Sequence, residues 1–339
     1  MRFSASAFAP ACASPNHCET DPLRLFPDAS GGEAAVTRYR VFPGMELDYR
    51  DVHARACREL RDGSGERLEI HHCLEGRVEY RQNGRYFYLS PGDLAVARTS
   101  SLPPDSRFPT GHYHGITVTI DPAAAPECLS CILSDVEVRP ATLMEKLCPG
   151  RTVFTARSSR RVKHVFSELY AVPEDIRKGY LKVKLLELLL FLSTLSPEDG
   201  QTPHGCTAAQ VTLAEQVKAC LLAESDRTLT LKSLSQQFNV SEAQIKSSFT
   251  GVYGMSPASY ARSQRMHGAA ALLRETDRTV LDIACQFGYD NASKFARAFR
   301  DVIGVSPREY RAGAEYDSCA PQLGEKPVSL SDADAERRI

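Results

Sequence analysis

Apolar positions repeat with a helical period in the C-terminal third of the chain. Leu231, Leu234 and Phe238 are spaced as one face of a helix, and after a short turn Ile245 and Phe249 follow four residues apart. This spacing predicts a helix, a tight turn and a second helix. The residues between the last two apolar positions are polar, so the second helix has one apolar face and one polar face.

The same pattern occurs again about fifty residues later. Ile283, Phe287, Phe295 and Phe299 repeat the apolar positions, and each copy ends in a Gly-x-Ser-Pro motif. The offset is 49 residues before the turn and 50 after it, so one residue has been added within the turn. The pattern predicts two copies of one helix-turn-helix unit, in which the second helix can enter a major groove.

A helical packing module is the alternative for this repeat. Two units are fewer than the roughly three that a solenoid needs. The segment 257–274 between them predicts a helix of about 27 Å. Such a helix could hold two recognition helices near major-groove faces that recur at roughly 34 Å, which favours DNA binding.

The second copy, TVLDIACQFGYDNASKFARAFRDVIGVSPREYR at 279–311, resembles the C-terminal signature of AraC/XylS-type transcription regulators. The first copy, which begins LKSLSQQFNVSEAQIKSSF at Leu231, resembles the other half of that domain. Together the two stretches cover about 100 of 339 residues. The resemblance implies a seven-helix domain whose two helix-turn-helix units contact one face of the duplex.

The resemblance also implies which side chains face the bases. They lie on the second helix of each copy: Ala243, Lys246, Ser247, Ala292, Ser293, Lys294 and Arg297. Ala243 and Ser247 are small where many relatives carry a large aromatic or basic residue, so we expect the first helix to read shape or phosphates. Arg297 can make a two-pronged contact to guanine, which makes the second helix the better candidate for direct readout.

The charge balance fits a binder that clusters its cations on one surface. Residues 207–312 carry 13 Lys and Arg against 10 Asp and Glu, while the whole chain has a net charge of −1. This modest excess argues against a polybasic, histone-like binder. A solvated helix face is the alternative for any single cation. As a set, five are predicted to contact phosphates: Lys232, Arg262, Arg265, Arg278 and Arg300.

The period changes in the N-terminal half. From about residue 39 to 138, short alternating runs are broken by Gly, Pro, Asn and Asp, which predicts strands. The pair Asn83-Gly84 predicts a two-residue hairpin that places Tyr80 opposite Phe87 on an apolar face. Residues 69–96 resemble, more loosely, the cupin-like sensor domain attached to many AraC-type regulators. That resemblance implies a barrel or sandwich that binds a small effector.

Several histidines could belong to such a site. Cupin metal sites need two histidines one residue apart, whereas His71 and His72 are adjacent and therefore point to opposite faces. We therefore expect no metal and no other cofactor, although a metal-dependent cupin enzyme remains an alternative. Strand parity places His112 and His114 with the apolar residues that follow them, and hence toward the barrel. The predicted effector pocket comprises His71, Tyr86, Tyr88, His112 and His114.

A leucine-rich helical stretch follows the predicted strands. Its leucines repeat every four and three residues, with a second apolar stripe at Val183, Leu186 and Leu190. A helix with two apolar stripes can pack one on its own barrel and offer the other to a second subunit. The resemblance to AraC-type regulators implies a homodimer interface here, and a helix buried wholly within its own domain is the alternative. The predicted interface residues are Leu181, Leu185, Leu188 and Leu192.

Composition argues against several classes of protein. The longest apolar run, 185–191, contains Glu187 and is too short to span a membrane. Eleven cysteines without a framework fit a reducing cytosol, and Cys128 and Cys131 form a CxxC pair with no second pair at zinc-site spacing.

The expected fold class is α+β and multidomain: a cupin-like N-terminal β-barrel or sandwich, a helical dimerisation segment and an all-α domain with two helix-turn-helix units. The predicted bounds are 1–35 for a flexible tail, 36–145 for the sensor domain, 150–196 for the helical segment, 197–206 for a linker, 207–312 for the DNA-binding domain and 313–339 for a disordered acidic tail.

The predicted function is that of a cytoplasmic, homodimeric, effector-responsive transcription regulator and not of an enzyme. Its partners would be double-stranded promoter DNA and a small-molecule effector, with RNA polymerase as a further candidate and no membrane. The alternatives are a DNA-binding metal-dependent enzyme and an effector-independent regulator.

Overall fold

The computed structural model describes residues 18–20, 25–27, 31–59, 65–126, 138–150, 152–157, 159–200, 205–223 and 230–319. The chain forms two compact units, one ending at Pro257 and the other beginning at Ala258 apart from a few terminal and loop residues. In the described ranges, no helix combines the length and the hydropathy needed to cross a membrane.

The first unit begins with twelve described strands. Their bounds are β1 Cys18–Thr20, β2 Leu25–Pro27, β3 Gly32–Phe42, β4 Met45–Ala54, β5 Ala56–Glu59, β6 Leu68–Gly76, β7 Val78–Gln82, β8 Arg85–Leu89, β9 Leu94–Arg98, β10 Asp105–Arg107, β11 Tyr113–Ile120 and β12 Phe154–Ala156. A seven-stranded antiparallel sheet has the order β1-β3-β4-β11-β6-β9-β12, a three-stranded sheet has the order β10-β5-β2, and β7 and β8 form a hairpin. The prediction of a β-sheet region in the N-terminal half is confirmed.

The two faces of the large sheet bury different residues, because successive side chains of a strand point to opposite faces. On β11, Ile116 and Val118 join a core that includes the helices following the sheet. Tyr113 instead joins a second core, together with hairpin residues such as Val78 and Tyr80. We call the second face the interior face and the first the helix-bearing face.

The β7–β8 hairpin has the predicted register. Tyr80 pairs with Phe87 and the turn residues Asn83 and Gly84 both have positive φ, 50° and 73°. Such a turn needs left-handed conformations at both central positions, and Asn and Gly are the residues that tolerate them best. The Asn-Gly pair therefore sets the register of this hairpin.

Three helices cover the helix-bearing face. They are α1 Pro140–Leu147, α2 Arg160–Leu169 and α3 Arg177–Thr194. On α2, Phe166 is fully buried and its ring stacks on His72 of β6 with centroids 4.1 Å apart. Tyr49 of β4 donates a hydrogen bond to the carbonyl of Leu169, 2.6 Å away.

The predicted dimer interface on α3 needs correction. Its heptad leucines are at most 2% exposed within a single chain, because they form the core between α3 and the sheet: Leu181, Leu185, Leu188 and Leu192. They are not available to a partner in this arrangement. The second stripe is more accessible, since Val183 is 62% exposed and Leu186 and Leu190 are partly buried.

Seven helices follow in the described part of the chain. They are α4 Ala208–Ala223, α5 Leu231–Phe238, α6 Glu242–Tyr253, α7 Pro257–Glu275, α8 Val280–Gln286, α9 Ala292–Ile303 and α10 Pro307–Cys319. The all-α C-terminal domain is confirmed.

Two predicted boundaries differ from the observed elements. Strands β1, β2 and the start of β3 lie within the predicted N-terminal tail, and α10 continues to Cys319, beyond the predicted start of the acidic tail. The CxxC pair at 128–131 and residues 320–339 lie outside the described residues.

Candidate nucleic-acid interface

The first helix-turn-helix copy is capped at each start. The Thr230 hydroxyl accepts a hydrogen bond from the Ser233 amide at 3.1 Å, and the Ser241 hydroxyl accepts one from the Gln244 amide at 3.1 Å. Between them Asn239 ends α5 with φ 53°. These contacts satisfy amide groups that would otherwise lack partners at the helix starts.

The helices of the second copy are capped in the same way. The Thr279 hydroxyl accepts from the Asp282 amide at 3.1 Å, and the Asn291 side-chain oxygen accepts from the amides of Ser293 and Lys294 at 2.8 and 3.2 Å. Gly288, with φ 77°, takes the left-handed position that Asn239 holds in the first copy. The cap follows Asn239 by two residues and Gly288 by three, so the added residue lies between the left-handed position and the cap.

The two second helices bury equivalent residues. Helices α6 and α9 are each 12 residues long, and their N-terminal ends are 50 residues apart in the sequence. Ile245 and Phe249 of α6 are fully buried, as are Phe295 and Phe299 of α9. Both helices end at a glycine with positive φ, Gly254 or Gly304.

The opposite faces of α6 and α9 are open to solvent. Every predicted base-facing residue is exposed: Ala243, Lys246, Ser247, Ala292, Ser293, Lys294 and Arg297. Within the described residues, Lys246, Lys294 and Arg297 form no ion pair. Their charges are therefore available to an external anion.

The predicted phosphate contacts occupy several elements. Lys232 on α5, Arg262 on α7 and Arg278 before α8 are exposed, whereas Arg265 on α7 is half-buried. Arg300 on α9 is exposed, and its Nη2 lies 4.0 Å from the Glu309 carboxylate. An exposed pair at this distance costs little to break, so it does not prevent a phosphate contact.

The helix that separates the two copies is continuous. Helix α7 has 19 residues, which corresponds to about 28 Å. Its C-terminal part enters the core of the second unit, where Met266 and Leu273 pack with Ile283 and Phe295.

Within the first unit, the sheet domain contacts α4 and α6. The Arg77 guanidinium donates to the carbonyl of Gly251 at 3.0 Å, and the Lys218 ammonium donates to the carbonyl of Pro109 at 3.1 Å. Tyr86 of β8 and Cys206 exchange two backbone hydrogen bonds, of 2.9 and 2.6 Å. Sequence reasoning missed these contacts, because no periodicity links the hairpin to α6.

The predicted effector residues do not come together. His71 is on the interior face, where its Nδ1 is 3.1 Å from the Thr117 hydroxyl. On β8, Tyr86 stacks with Arg81, and the Tyr88 hydroxyl donates to Glu79. His114 lies on the helix-bearing face, contrary to its predicted inward orientation, and exposed His112 precedes it at the end of the sheet.

The sheet domain contains an interior cavity and a surface groove. The interior cavity has a volume of 20 Å³, enough for about one water, and is lined by residues that include Arg50, His71, Glu79, Tyr80, Phe108 and Tyr113. A surface groove of 560 Å³ is lined by residues that include Arg40, Phe42, Glu46, Arg67, Lys178 and Lys182.

Comparison with known proteins agrees with this architecture. Residues 234–313 match the family model described as a helix-turn-helix domain. YdiP, an uncharacterized HTH-type transcriptional regulator of Escherichia coli (strain K12), is 35% identical over 275 residues, which are 77% of this chain and 88% of YdiP.

Two further similarities cover different shares of the chain. The arabinose operon regulatory protein of Salmonella typhimurium is 24% identical over 259 residues, or 71% of this chain and 82% of that protein. The solved DNA-binding domain of AdpA, a global transcriptional factor in complex with a target DNA, is 27% identical and covers 33% of this chain and 97% of that structure, with a TM-score of 0.28.

A β-sheet domain followed by two helix-turn-helix units defines the class of DNA-binding transcription regulators. The chain belongs to the AraC/XylS family of that class. Its function is therefore sequence-specific DNA binding and transcription regulation, and it is not an enzyme.

Proposed function

We propose that this regulator binds promoter DNA with both helix-turn-helix copies and changes its DNA binding when a small molecule occupies the N-terminal domain. It acts in the cytoplasm as a homodimer. The observation that supports DNA contact by both copies is their repeated design, with the same buried positions on α6 and α9 and an exposed face opposite each.

The two recognition helices have different roles in this proposal. Helix α9 carries Lys294, Arg297 and Arg300 on exposed positions, so it reads base edges and anchors phosphates. Helix α6 presents Ala243, Lys246 and Ser247, of which only Lys246 is a cation. It therefore recognises mainly the shape of the groove and the DNA phosphate backbone.

Replacement of Arg297 tests this assignment. Arg297→Ala should weaken operator binding by roughly tenfold to a hundredfold and relax the preference for one base pair, because a bidentate contact to guanine is lost. Arg308→Ala removes another exposed arginine, from α10, and should leave the affinity unchanged. Footprinting and titration of the operator measure both effects. Equal losses in the two variants would refute a specific role for Arg297.

The proposed effector site is the interior cavity. Its hairpin wall includes Val78, Glu79 and Tyr80, and its opposite wall includes Arg50 and His71 of the large sheet. A ligand larger than a water molecule needs more than 20 Å³, so its entry must separate the hairpin from the sheet.

Displacement of the hairpin would reach the first DNA-binding copy. Tyr86 pairs with Cys206 immediately before α4, and Arg77, between β6 and β7, holds the carbonyl of Gly251 in α6. An effector that binds the displaced hairpin more tightly would therefore shift the position of α6. Arg77→Ala should reduce the effect of a ligand on operator affinity while leaving the ligand's own affinity nearly unchanged.

A ligand screen distinguishes this site from the surface groove. A compound that raises the melting temperature of the wild type, but not that of His71→Ala, and alters operator affinity would support the interior site. Loss of that stabilisation in Lys182→Ala alone would assign the effector to the groove. Identical operator binding with and without every compound that occupies the domain would refute the effector response.

The proposed dimer uses the second apolar stripe of α3, which is the more accessible one. Val183 is 62% exposed and Leu186 beside it is partly buried, while Leu190 at the end of the stripe also packs against the domain core. Val183→Asp should shift the sedimentation of the protein toward that of a monomer. A monomeric wild type at micromolar concentration would refute dimerisation.

A further inference from the structure

Asp51, His53 and His114 converge on the helix-bearing face of the large sheet. We propose that they bind one divalent transition-metal ion of the zinc type. This inference concerns a site separate from both the DNA-contacting faces and the interior cavity. It also departs from the expectation of no metal, which rested on His71 and His72.

Strand pairing brings the three side chains together. Asp51 of β4 lies directly opposite His114 of β11, so their side chains share a face. His53 is two residues further along β4 and therefore lies on the same face. Neighbouring strands thus supply two imidazoles and one carboxylate from positions that the sheet fixes.

The donor atoms are close enough to share an ion. Asp51 Oδ1 is 3.0 Å from His53 Nε2 and 3.2 Å from His114 Nε2, and one ligand atom from each residue lies within 4.8 Å of the others. Donors about 2.1 Å from a tetrahedral zinc ion are about 3.4 Å apart. Small side-chain rotations therefore suffice to form the site.

Both imidazole nitrogens lie at ion-pair distance from Asp51 Oδ1, but the contacts do not have hydrogen-bond geometry. Asp51 Oδ1 is buried and accepts no hydrogen bond from the described residues, although both imidazole nitrogens are near it. A buried carboxylate oxygen without a donor is costly. A cation between the three donors would remove that cost, because each donor would direct a lone pair at it.

The chemistry and exposure of the donors indicate the kind of ion. Two imidazole nitrogens and a carboxylate suit Zn²⁺, Co²⁺, Ni²⁺ or Fe²⁺ better than Mg²⁺ or Ca²⁺, which prefer oxygen ligands. The His53 side chain is 49% exposed and that of His114 is 15% exposed, so an ion can enter from solvent. Exposed Glu75, opposite His114 on β6, offers an additional carboxylate nearby.

Titration of the purified full-length protein with Co²⁺ tests the proposal. The visible spectrum of Co²⁺ distinguishes imidazole and carboxylate ligands from thiolates, which matters because the chain has 11 cysteines. We expect one equivalent to bind without a thiolate-to-cobalt charge-transfer band. His114→Ala and His53→Ala should each lower the Co²⁺ affinity at least tenfold.

A matched control is His164→Ala. His164 is an exposed histidine on α2 whose ring nitrogens lie 3.9 and 3.8 Å from Glu168 and Glu187, and its loss should leave Co²⁺ binding unchanged. Circular dichroism identifies variants that remain folded, and His53→Ala changes a half-exposed side chain. The proposal is overturned if the wild type binds no stoichiometric Co²⁺, if binding shows a thiolate band, or if folded His53→Ala binds as the wild type does.

Discussion

Buried His72 should make the sheet domain less stable in mild acid. It is 4% exposed, stacks on Phe166 and has its Nδ1 3.1 Å from the Tyr170 hydroxyl. Its Nε2 is buried and has no hydrogen-bond partner in the described residues. Burial lowers the pKa of His72 to about 4 from an ordinary 6.5. Between about pH 4 and pH 6.5, the native state therefore keeps this imidazole neutral, whereas the unfolded chain protonates it.

The sign and size of the effect follow from proton linkage. Between pH 6.5 and 4 the unfolded chain binds a proton that the native state does not, so stability is present above pH 6.5 and is lost as pH falls. At about 1.4 kcal/mol per pKa unit, the loss between pH 7.5 and pH 5 is about 2 kcal/mol. It approaches about 3 kcal/mol below pH 4.

The test compares wild type and His72→Phe, which retains a ring against Phe166. Urea unfolding followed by circular dichroism at pH 7.5 and pH 5 gives the free energy of unfolding of each. Between pH 7.5 and pH 5, the free energy of unfolding of the variant should fall by about 2 kcal/mol less than that of the wild type. This difference does not depend on the variant's stability at pH 7.5. His164→Phe, at an exposed position, should lose as much as the wild type. Equal losses in wild type and His72→Phe would refute the explanation.

Further substitutions test other parts of the fold. Gly304 ends α9 with φ 90°, so Gly304→Ala should lower the free energy of unfolding by about 1–2 kcal/mol. Gly313 lies within α10 and has no close contacts, so Gly313→Ala should be neutral or stabilising. Leu188→Ala should cost about 2–5 kcal/mol because Leu188 is fully buried, whereas Val183→Ala should cost less than about 1 kcal/mol. Urea unfolding measures each free energy change. If Leu188→Ala left the free energy of unfolding unchanged, Leu188 would again be a candidate for the contact between subunits.

The features best predicted from sequence are those set by local chemistry. Asn83-Gly84 determined its own hairpin register because few residues tolerate two consecutive left-handed positions. The duplicated unit was recognisable because its buried positions and its Gly-x-Ser-Pro ends recur at fixed offsets. In both cases, the signal lies within residues that are close in the chain.

Features that depend on distant partners could not be predicted in the same way. The leucine spacing of α3 correctly indicated a buried face, but it could not distinguish the domain's own core from a second subunit, since both are apolar. Likewise, Asp51 and His114 meet only because β4 pairs with β11 in one register, which no local pattern specifies. The prediction that His114 points into the barrel was wrong for a related reason. Both faces of the sheet are buried, so the alternation of side chains along a strand does not identify which face is the interior one.

Two equivalent positions allow the most direct test of whether both helix-turn-helix copies contact DNA. Ala243 on α6 and Ser293 on α9 occupy equivalent exposed positions, 50 residues apart. A glutamate at either position would place a negative charge against the phosphate backbone. We expect Ala243→Glu and Ser293→Glu each to weaken operator binding more than tenfold, and Ala209→Glu, at an exposed position on α4, to stay within about twofold of the wild type. Wild-type affinity in either of the first two variants would contradict DNA contact by both helices.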